Sequence, residues 1–565
     1  MALSLAKPGP SGKPLVTSEQ WREMIIKLTN SPQAYETRLQ SKPFPKEEQF
    51  QCLLCDSLLE HNINLDIDSV ANKNKLMKII CTIGPASREV DKLEQLIKAG
   101  MNICRLNFSH GTYEYHAGTV ENVRQAAAKM PRGQVLGVAL DTKGPEIRTG
   151  LVKGEASSEV VLETGKTIRL TINDEFKEKC SAEVLWCDYK NLLKTLDVGG
   201  LIYIDDGLIS LRAKEKTSDS FICDIVNGGS LGSKKGCNLP GTPLDLPAVS
   251  EKDKQDLLFG LEKNVDMVFA SFIQSGNCIR QIREVLGEKG KNIKIMSKIE
   301  SFSGLWNFMD VLEETDGVMV ARGDMGIEIP PEKVFVAQKL MISACNKAGK
   351  PVICATQMLE SMTYKPRATR AESNDVANAV LDGADSVMLS GESAKGLYPV
   401  EAVAHMAAVC KEAEAVFFNK RMFQEMRNVT PMFTDATQAI ALAAVDVSYQ
   451  CQAKAILTLS MTGRTAYLMS MYRPRCPVIM VTSDPLVARQ SLLYRCLVPY
   501  LYEGASQSSW EDDLNHRVSS GLEMGMAWGH LKFGDVVILV VGLEKGSGNT
   551  NSIQIITCPH GKHDG

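Results

Sequence analysis

The sequence predicts an α/β protein built on a closed (β/α)8 TIM barrel, and three observations point there. Eight short, β-rich apolar runs recur along the middle of the chain. Helix-period segments separate most of them, and the rhythm breaks once, between residues 145 and 246. Strands buried on both faces read as continuous apolar runs, as a parallel barrel wrapped in helices requires.

The runs fall at residues 77–81, 101–106, 135–140, 265–270, 293–297, 317–321, 351–355 and 385–389. Helical periodicity marks 90–99, 113–128, 253–262, 332–348 and 399–415. The interruption carries alternating strand patterns at 167–172, 201–204, 208–211 and 221–225 and the turn Asn227-Gly228-Gly229. It is expected to be a small β-barrel inserted at the barrel mouth, where it can act as a lid. Beyond residue 417, strands near 455–459, 478–481, 497–500, 536–541 and 553–556 predict a C-terminal open α/β domain. The expected organisation is therefore an extension at 1–48, a barrel at 49–144 and 247–417, a lid at 145–246 and a C-terminal domain at 418–565. The extension, rich in Pro, Lys, Ser and Gln, is expected to be partly mobile, with one short helix near 19–28.

A formal charge of −4 over 565 residues gives no global attraction to nucleic acid or to an anionic membrane, so any anionic ligand must be held by local basic groups. The longest apolar run, 536–541, is strand-sized, and the first residues lack the apolar core of a secretory signal. The sixteen cysteines are scattered singly through apolar segments, the pattern of reduced, buried thiols in a cytoplasmic enzyme. Cys52 and Cys55 lie in a helix-like stretch at 50–59 with no second pair at zinc spacing, and are expected to pack rather than to ligate. Gly165-Lys166-Thr167 ends like a Walker A loop, but Val160 stands where its first glycine should be.

Catalytic groups of such barrels sit just past the C-terminal ends of the strands. Those positions hold Thr82; Arg105, Asn107 and Ser109; Asp141 and Thr142; Ser271; Lys298 and Glu300; Arg322 and Asp324; Thr356; and Ser390. Lys298 and Glu300 are two apart, so on an extended segment they face one way, and Asp324 after the next strand brings a second carboxylate. Two carboxylates with open positions suit Mg2+ or Mn2+. Arg105 can fork onto a phosphate, Lys298 offers a compact charge, and Gly323 lets its own and the Asp324 N–H approach a carboxylate. The parts suit phosphoryl transfer from a small carboxylate.

Longer motifs make this specific. Met296-Ser297-Lys298-Ile299-Glu300, followed by Met319-Val320-Ala321-Arg322-Gly323-Asp324-Met325-Gly326, resembles the active-site signature of pyruvate kinases. So do Cys81-Thr82-Ile83-Gly84-Pro85-Ala86-Ser87, Arg105-Leu106-Asn107-Phe108-Ser109-His110-Gly111 and Asp141-Thr142-Lys143-Gly144-Pro145-Glu146-Ile147-Arg148. The resemblance runs from about residue 50 to the end. It implies transfer from phosphoenolpyruvate to ADP, giving pyruvate and ATP.

By that resemblance Glu300 and Asp324 hold the divalent ion, and Arg105 and Lys298 the phosphoryl group. Gly323, Asp324 and Thr356 line the substrate site. Asn107, Ser109, Asp141 and the Thr142 carbonyl match a K+ site. Glu146 stands where K+-independent members carry Lys, so dependence on K+ is expected. Thr356, with Ser390 behind it, sits where the enolate is protonated, through relayed water. Asn107, His110, Arg148, Lys235 and Lys395 match the nucleotide side, and Asp206 the closing lid.

A second phosphate site is expected in the C-terminal domain. Ser460, Met461, Thr462, Gly463, Arg464 and Thr465 follow a strand and open a helix, an arrangement that can cradle an anion. They resemble the fructose-1,6-bisphosphate loop of allosteric pyruvate kinases, with Trp510, Arg517, Gly546, Ser547 and Gly548 at matching positions, so activation by that sugar is expected. Met461, Glu544 and Lys545 depart from the animal pattern. The amino-acid pocket of animal forms is altered: Asn102 matches, but Asn64, Gln134 and Leu492 replace two Arg and a His, and that regulation is not expected. The family is typically a homotetramer. A rival reading is another phosphoenolpyruvate- or pyruvate-type barrel, an aldolase or lyase; the large insert and the nucleotide-side basic residues weigh against it.

Overall fold

The computed structural model describes residues 49, 52, 55–154, 158–205, 207–242, 246–507 and 509–559, so the helix expected near 19–28 and Asp206 lie outside the described residues. The chain divides into two compact units, Met1–Ala71 and Asn72–Gly565. In the first, the Ser57 side chain accepts the Glu60 N–H and starts the helix Leu58–Ile63. Cys52 and Cys55 precede that helix instead of lying on it; Cys52 is buried, and its carbonyl meets the ring of buried His61.

In the second unit all eight expected strands close a parallel barrel. Around it run Lys78–Thr82, Ile103–Asn107, Gly137–Asp141, Met267–Ala270, Lys294–Ile299, Gly317–Ala321, Val352–Ala355 and Ser386–Leu389, the last pairing with the first. The helices Val90–Ala99, Tyr113–Ala128 and Pro399–Ala415 stand where the periodicity puts them. Glu251–Glu262 starts two residues early, because Ser250 and Asp253 close a capping box ahead of it. The segment expected at 332–348 opens as a 3-10 turn, Pro331–Lys333, before the α-helix Val334–Ala348. Proline fits a first helical turn, where its missing N–H leaves nothing unpaired.

The inserted β domain is a seven-stranded sheet with a separate ladder of Val160–Leu162 on Gly229–Leu231. Leu170, Leu185, Ile202 and Phe221 anchor its own core. Its longest strands, Ile209–Lys216 and Ser220–Asn227, run past the expected ends as an antiparallel hairpin that tolerates one wet face.

The C-terminal sheet is ordered Leu497–Leu501, Val478–Thr482, Ala455–Leu459, Val536–Gly542, Thr550–Thr557, with only the last antiparallel. Ile80, Met267, Phe269 and Met319 inside the barrel form one apolar cluster with Ile456, Tyr472 and Leu497 of that domain. The mouth is thus left for chemistry while the other end is packed shut. No described helix is long and apolar enough to cross a membrane. All sixteen cysteines are free thiols.

Candidate active site

Strand register brings the predicted residues together. Asn107 pairs directly with Asp141 on neighbouring strands, and Asp141 sits beside the strand that ends in Ala270-Ser271. Asp141 is fully buried and is the hub. Its carboxylate accepts Arg105 Nε at 2.6 Å on one oxygen and Lys298 Nζ at 3.0 Å on the other. Desolvation works against its charge, but Arg105 and Lys298 outweigh it and hold its pKa below the ordinary value. Lys298 shows the converse: burial disfavours its ammonium, yet Asp141 and Glu300 keep it above the usual lysine range. Its Nζ lies 2.9 Å from Glu300 and donates to Ser271 Oγ at 2.7 Å.

Glu300, buried in turn, accepts the Phe272 N–H at 2.6 Å. Phe272 has φ +55°, a conformation that turns this amide onto the carboxylate. Asp324 is the third residue of the helix Arg322–Glu328, and its charge also favours the Lys298 ammonium. Among the described residues no three His, Cys, Asp or Glu side chains cluster to hold an ion by themselves. Two carboxylates on adjacent strand ends suit a hard divalent cation whose shell is completed by substrate and water oxygens. Beside them Asn107, paired with Asp141, accepts the Ser109 N–H on Oδ1 at 3.1 Å, and the Thr142 carbonyl accepts Ser271 Oγ–H at 2.6 Å.

Thr356 ends its strand at φ +70°. Its hydroxyl accepts the Gly323 N–H at 2.7 Å and donates to the Ala355 carbonyl. The Gly323 amide, expected to face a carboxylate, is therefore taken by Thr356. Ser390 donates its N–H to Glu392, but its Oγ is buried with no hydrogen-bond partner. A buried orphan hydroxyl in a polar site marks a place for water or substrate.

Several expected ligand groups are engaged by protein. Arg148 forks onto Glu146 and donates to the Lys234 carbonyl, and Lys235 is paired with Asp205 at 3.0 Å. His110 and Lys395 are exposed. In the C-terminal domain Ser460 Oγ accepts the N–H of Gly463, whose φ of +82° places it at the start of Arg464–Met471. Thr465 meets Thr550, at the end of the glycine-rich loop holding Gly546, Ser547 and Gly548, at 3.0 Å. Arg464 is forked onto Asp435, Arg517 pairs with Asp513, and Trp510 donates to the Gly542 carbonyl. Thr462 and Met461 are exposed. Asn102 is turned onto its own chain, accepting from the Ile79 N–H and Lys75.

Residue patterns undervalued four groups. Ser271 stood at a strand end without a role, yet it links Lys298 to the Thr142 carbonyl. Thr82 accepts Arg105 Nη1 at 2.8 Å. Glu392, wholly buried and with its pKa raised by desolvation, holds the Ser390 and Leu359 amides. The Phe272 amide carries no side-chain signal at all.

Comparison with known proteins finds relatives along most of the chain. Residues 74–403 match the family model "Pyruvate kinase, barrel domain", and 438–556 match "Pyruvate kinase, alpha/beta domain". "Pyruvate kinase PKLR" of Homo sapiens is 50% identical over 91% of this chain and 90% of its own, and the Rattus norvegicus protein of that name is 49% identical over the same shares. "Pyruvate kinase" of Schizosaccharomyces pombe is 51% identical over 87% of this chain and 96% of its own.

Proposed function

The chain belongs to the pyruvate kinase family, and from that premise we propose how its residues divide the work. The reaction is the glycolytic one: phosphoenolpyruvate, ADP and a proton give pyruvate and ATP. The bond from phosphorus to the enol oxygen breaks, a terminal oxygen of ADP takes the phosphoryl group, and the enolate carbon takes the proton.

The observation that carries the assignment is the buried group of Arg105, Lys298, Asp141 and Glu300. Arg105 and Lys298 bind the phosphoryl oxygens and offset the charge that spreads over them during transfer. Lys298 is an electrostatic clamp and not the proton donor, since its two carboxylate neighbours hold its proton firmly. Thr356 and Ser390 pass the proton to the enolate through water, the orphan Ser390 Oγ being the natural end of that chain. Glu300 and Asp324 would hold Mg2+ or Mn2+ against the substrate; when bound, such an ion neutralises charge on the phosphoryl and enol oxygens. Asn107, Ser109, Asp141 and Thr142 would hold K+. Glu146 cannot replace that ion with a positive charge, and Asn107, His110, Arg148, Lys235 and Lys395 bind the nucleotide.

The loop of Ser460 to Thr465, with Trp510, Arg517 and Gly546 to Gly548, is proposed to bind fructose-1,6-bisphosphate as an activator. Arg464 and Arg517 must then trade their carboxylate partners for phosphate. The protein is proposed to act in the cytoplasm as a homotetramer.

A lactate-dehydrogenase-coupled assay with K+ and fructose-1,6-bisphosphate varied independently tests these assignments. Pyruvate should form only with ADP and a divalent ion, and fall at least tenfold without K+. Its dependence on phosphoenolpyruvate should shift to lower concentrations with the bisphosphate. Full activity without K+ would remove the Glu146 argument, and an unchanged substrate response would remove the effector site.

A further inference from the structure

Arg322 leaves the strand Gly317–Ala321 as the first residue of the helix that carries Asp324, but its side chain turns to the neighbouring strand end. Nη2 donates to the Thr356 carbonyl at 2.7 Å, and Nε to the Ala355 carbonyl at 3.3 Å. The same guanidinium forks onto Asp375 at 2.6 and 2.7 Å. Asp375 lies in the helix Arg370–Asp382, whose start is fixed by the capping box of Thr369 and Glu372. Gln338, from Val334–Ala348, accepts from Arg322 Nη1 at 3.3 Å and donates to Asp382 at 2.9 Å. Two helices therefore brace one guanidinium.

What they brace is a strained residue. A β-branched side chain at φ +70° is a conformational outlier, and Gln357 follows at +55°. Such a backbone persists only where its surroundings impose it. If the Thr356 carbonyl were released, the peptide could relax towards extended geometry. Its hydroxyl would then swing off the Gly323 amide. A planar fork is suited to this task because it loses little freedom per hydrogen bond formed.

We infer that Arg322 and Asp375 are a positioning pair: they hold the Thr356 hydroxyl over the reacting carbon and set the rate of enolate protonation without touching substrate. The inference rests on Thr356 being the relay hydroxyl. It gives a role to Arg322, which the strand-end pattern places at the barrel rim without one.

The test is a double-mutant cycle of Asp375→Asn and Thr356→Ala in the full-length enzyme with Mg2+ and K+. Steady-state kinetics are read beside exchange of the pyruvate methyl hydrogens in D2O by NMR, which follows proton transfer at that carbon without phosphoryl transfer. Thr356→Ala should lower exchange by about a hundredfold, the scale of a lost general acid-base group. Asp375→Asn should lower kcat and exchange about tenfold, KM staying within about twofold, and in the Thr356→Ala background it should cost less than about twofold more. A tenfold loss persisting in that background, or an effect confined to KM, overturns the pair alone. Full exchange in Thr356→Ala overturns the relay, and the pair with it. If Asp375→Asn fails to fold, Arg322→Lys, which keeps the charge but cannot fork, enters the same cycle with the same expectations.

Discussion

The two ends of the barrel both bury charge, and they use it in opposite ways. At the floor, Asp385 accepts from Arg473 Nη1 and Nη2, from the Arg495 N–H and from the Val352 N–H. All four lone-pair directions of that carboxylate are taken by protein. The Arg495 guanidinium donates to the Val380 carbonyl and lies 4.4 Å over the Phe417 ring. Asp385 ties these charges together across the junction between barrel and C-terminal domain, while Arg473 Nε and the neighbouring Asn346 Nδ2 stay unpaired. At the mouth buried charges are paired as well, but there a spare hydroxyl, Ser390 Oγ, accompanies a strained turn at Thr356. Neither buried charge nor a spare hydrogen-bonding group alone therefore marks a catalytic site; a spare hydroxyl beside a strained turn and clustered cations does.

The sharpest separation should come from removing one charge at each end. Lys298→Met deletes the clamp while Arg105 remains on Asp141, so kcat should fall by about a thousandfold, about 4 kcal/mol of transition-state stabilisation. Because the change also strands the buried Glu300, stability should fall at this end too, by about 3–5 kcal/mol. At the floor, Asp385→Asn strands the buried Arg473 and should cost about 3–5 kcal/mol of stability, the scale for breaking a buried ion pair. The folded fraction should keep its kcat. Denaturant midpoints measured beside initial rates check both, and a floor variant that lost kcat without losing stability would erase the distinction.

Much of the mouth was legible in the sequence and little of the floor. Strand ends are written locally: an apolar run followed by Lys298-Ile299-Glu300 places its own charged groups at the rim. Parallel register then aligns successive ends, which is why Asn107 and Asp141 meet. Arg473 and Asp385 lie far apart in sequence, and neither sits in a periodic pattern that points to the other. The Phe272 amide on Glu300 and the Arg322 fork on Asp375 were equally hidden, because each depends on a backbone turn or a helix packing that only the folded chain defines. The resemblance to pyruvate kinases supplied substrates, but not the fact that Arg464 and Arg148 already hold carboxylates.

A smaller effect tests the floor by pH. Lys78 opens the first barrel strand, is buried, and donates to the Leu497 carbonyl of the C-terminal sheet. Desolvation, helped by neighbouring Lys75 and only partly opposed by Cys496 and Glu414, lowers its pKa from 10.5 to about 7. Above pH 7 the folded protein therefore loses this proton, while the unfolded chain keeps it to about pH 10.5. In that window the unfolded state binds one more proton, so stability rises with pH, by at most about 1.4 kcal/mol per pH unit from this group. Below pH 7 both states hold the proton and the cost of the buried ammonium is carried in full. Lys78→Met should remove this contribution. Between pH 7 and 8.5 the wild type should gain up to about 2 kcal/mol relative to the variant, read as converging denaturation midpoints. Parallel pH profiles would mean that the ammonium is solvated at the floor, and that this end of the barrel is less tightly closed than its packing implies.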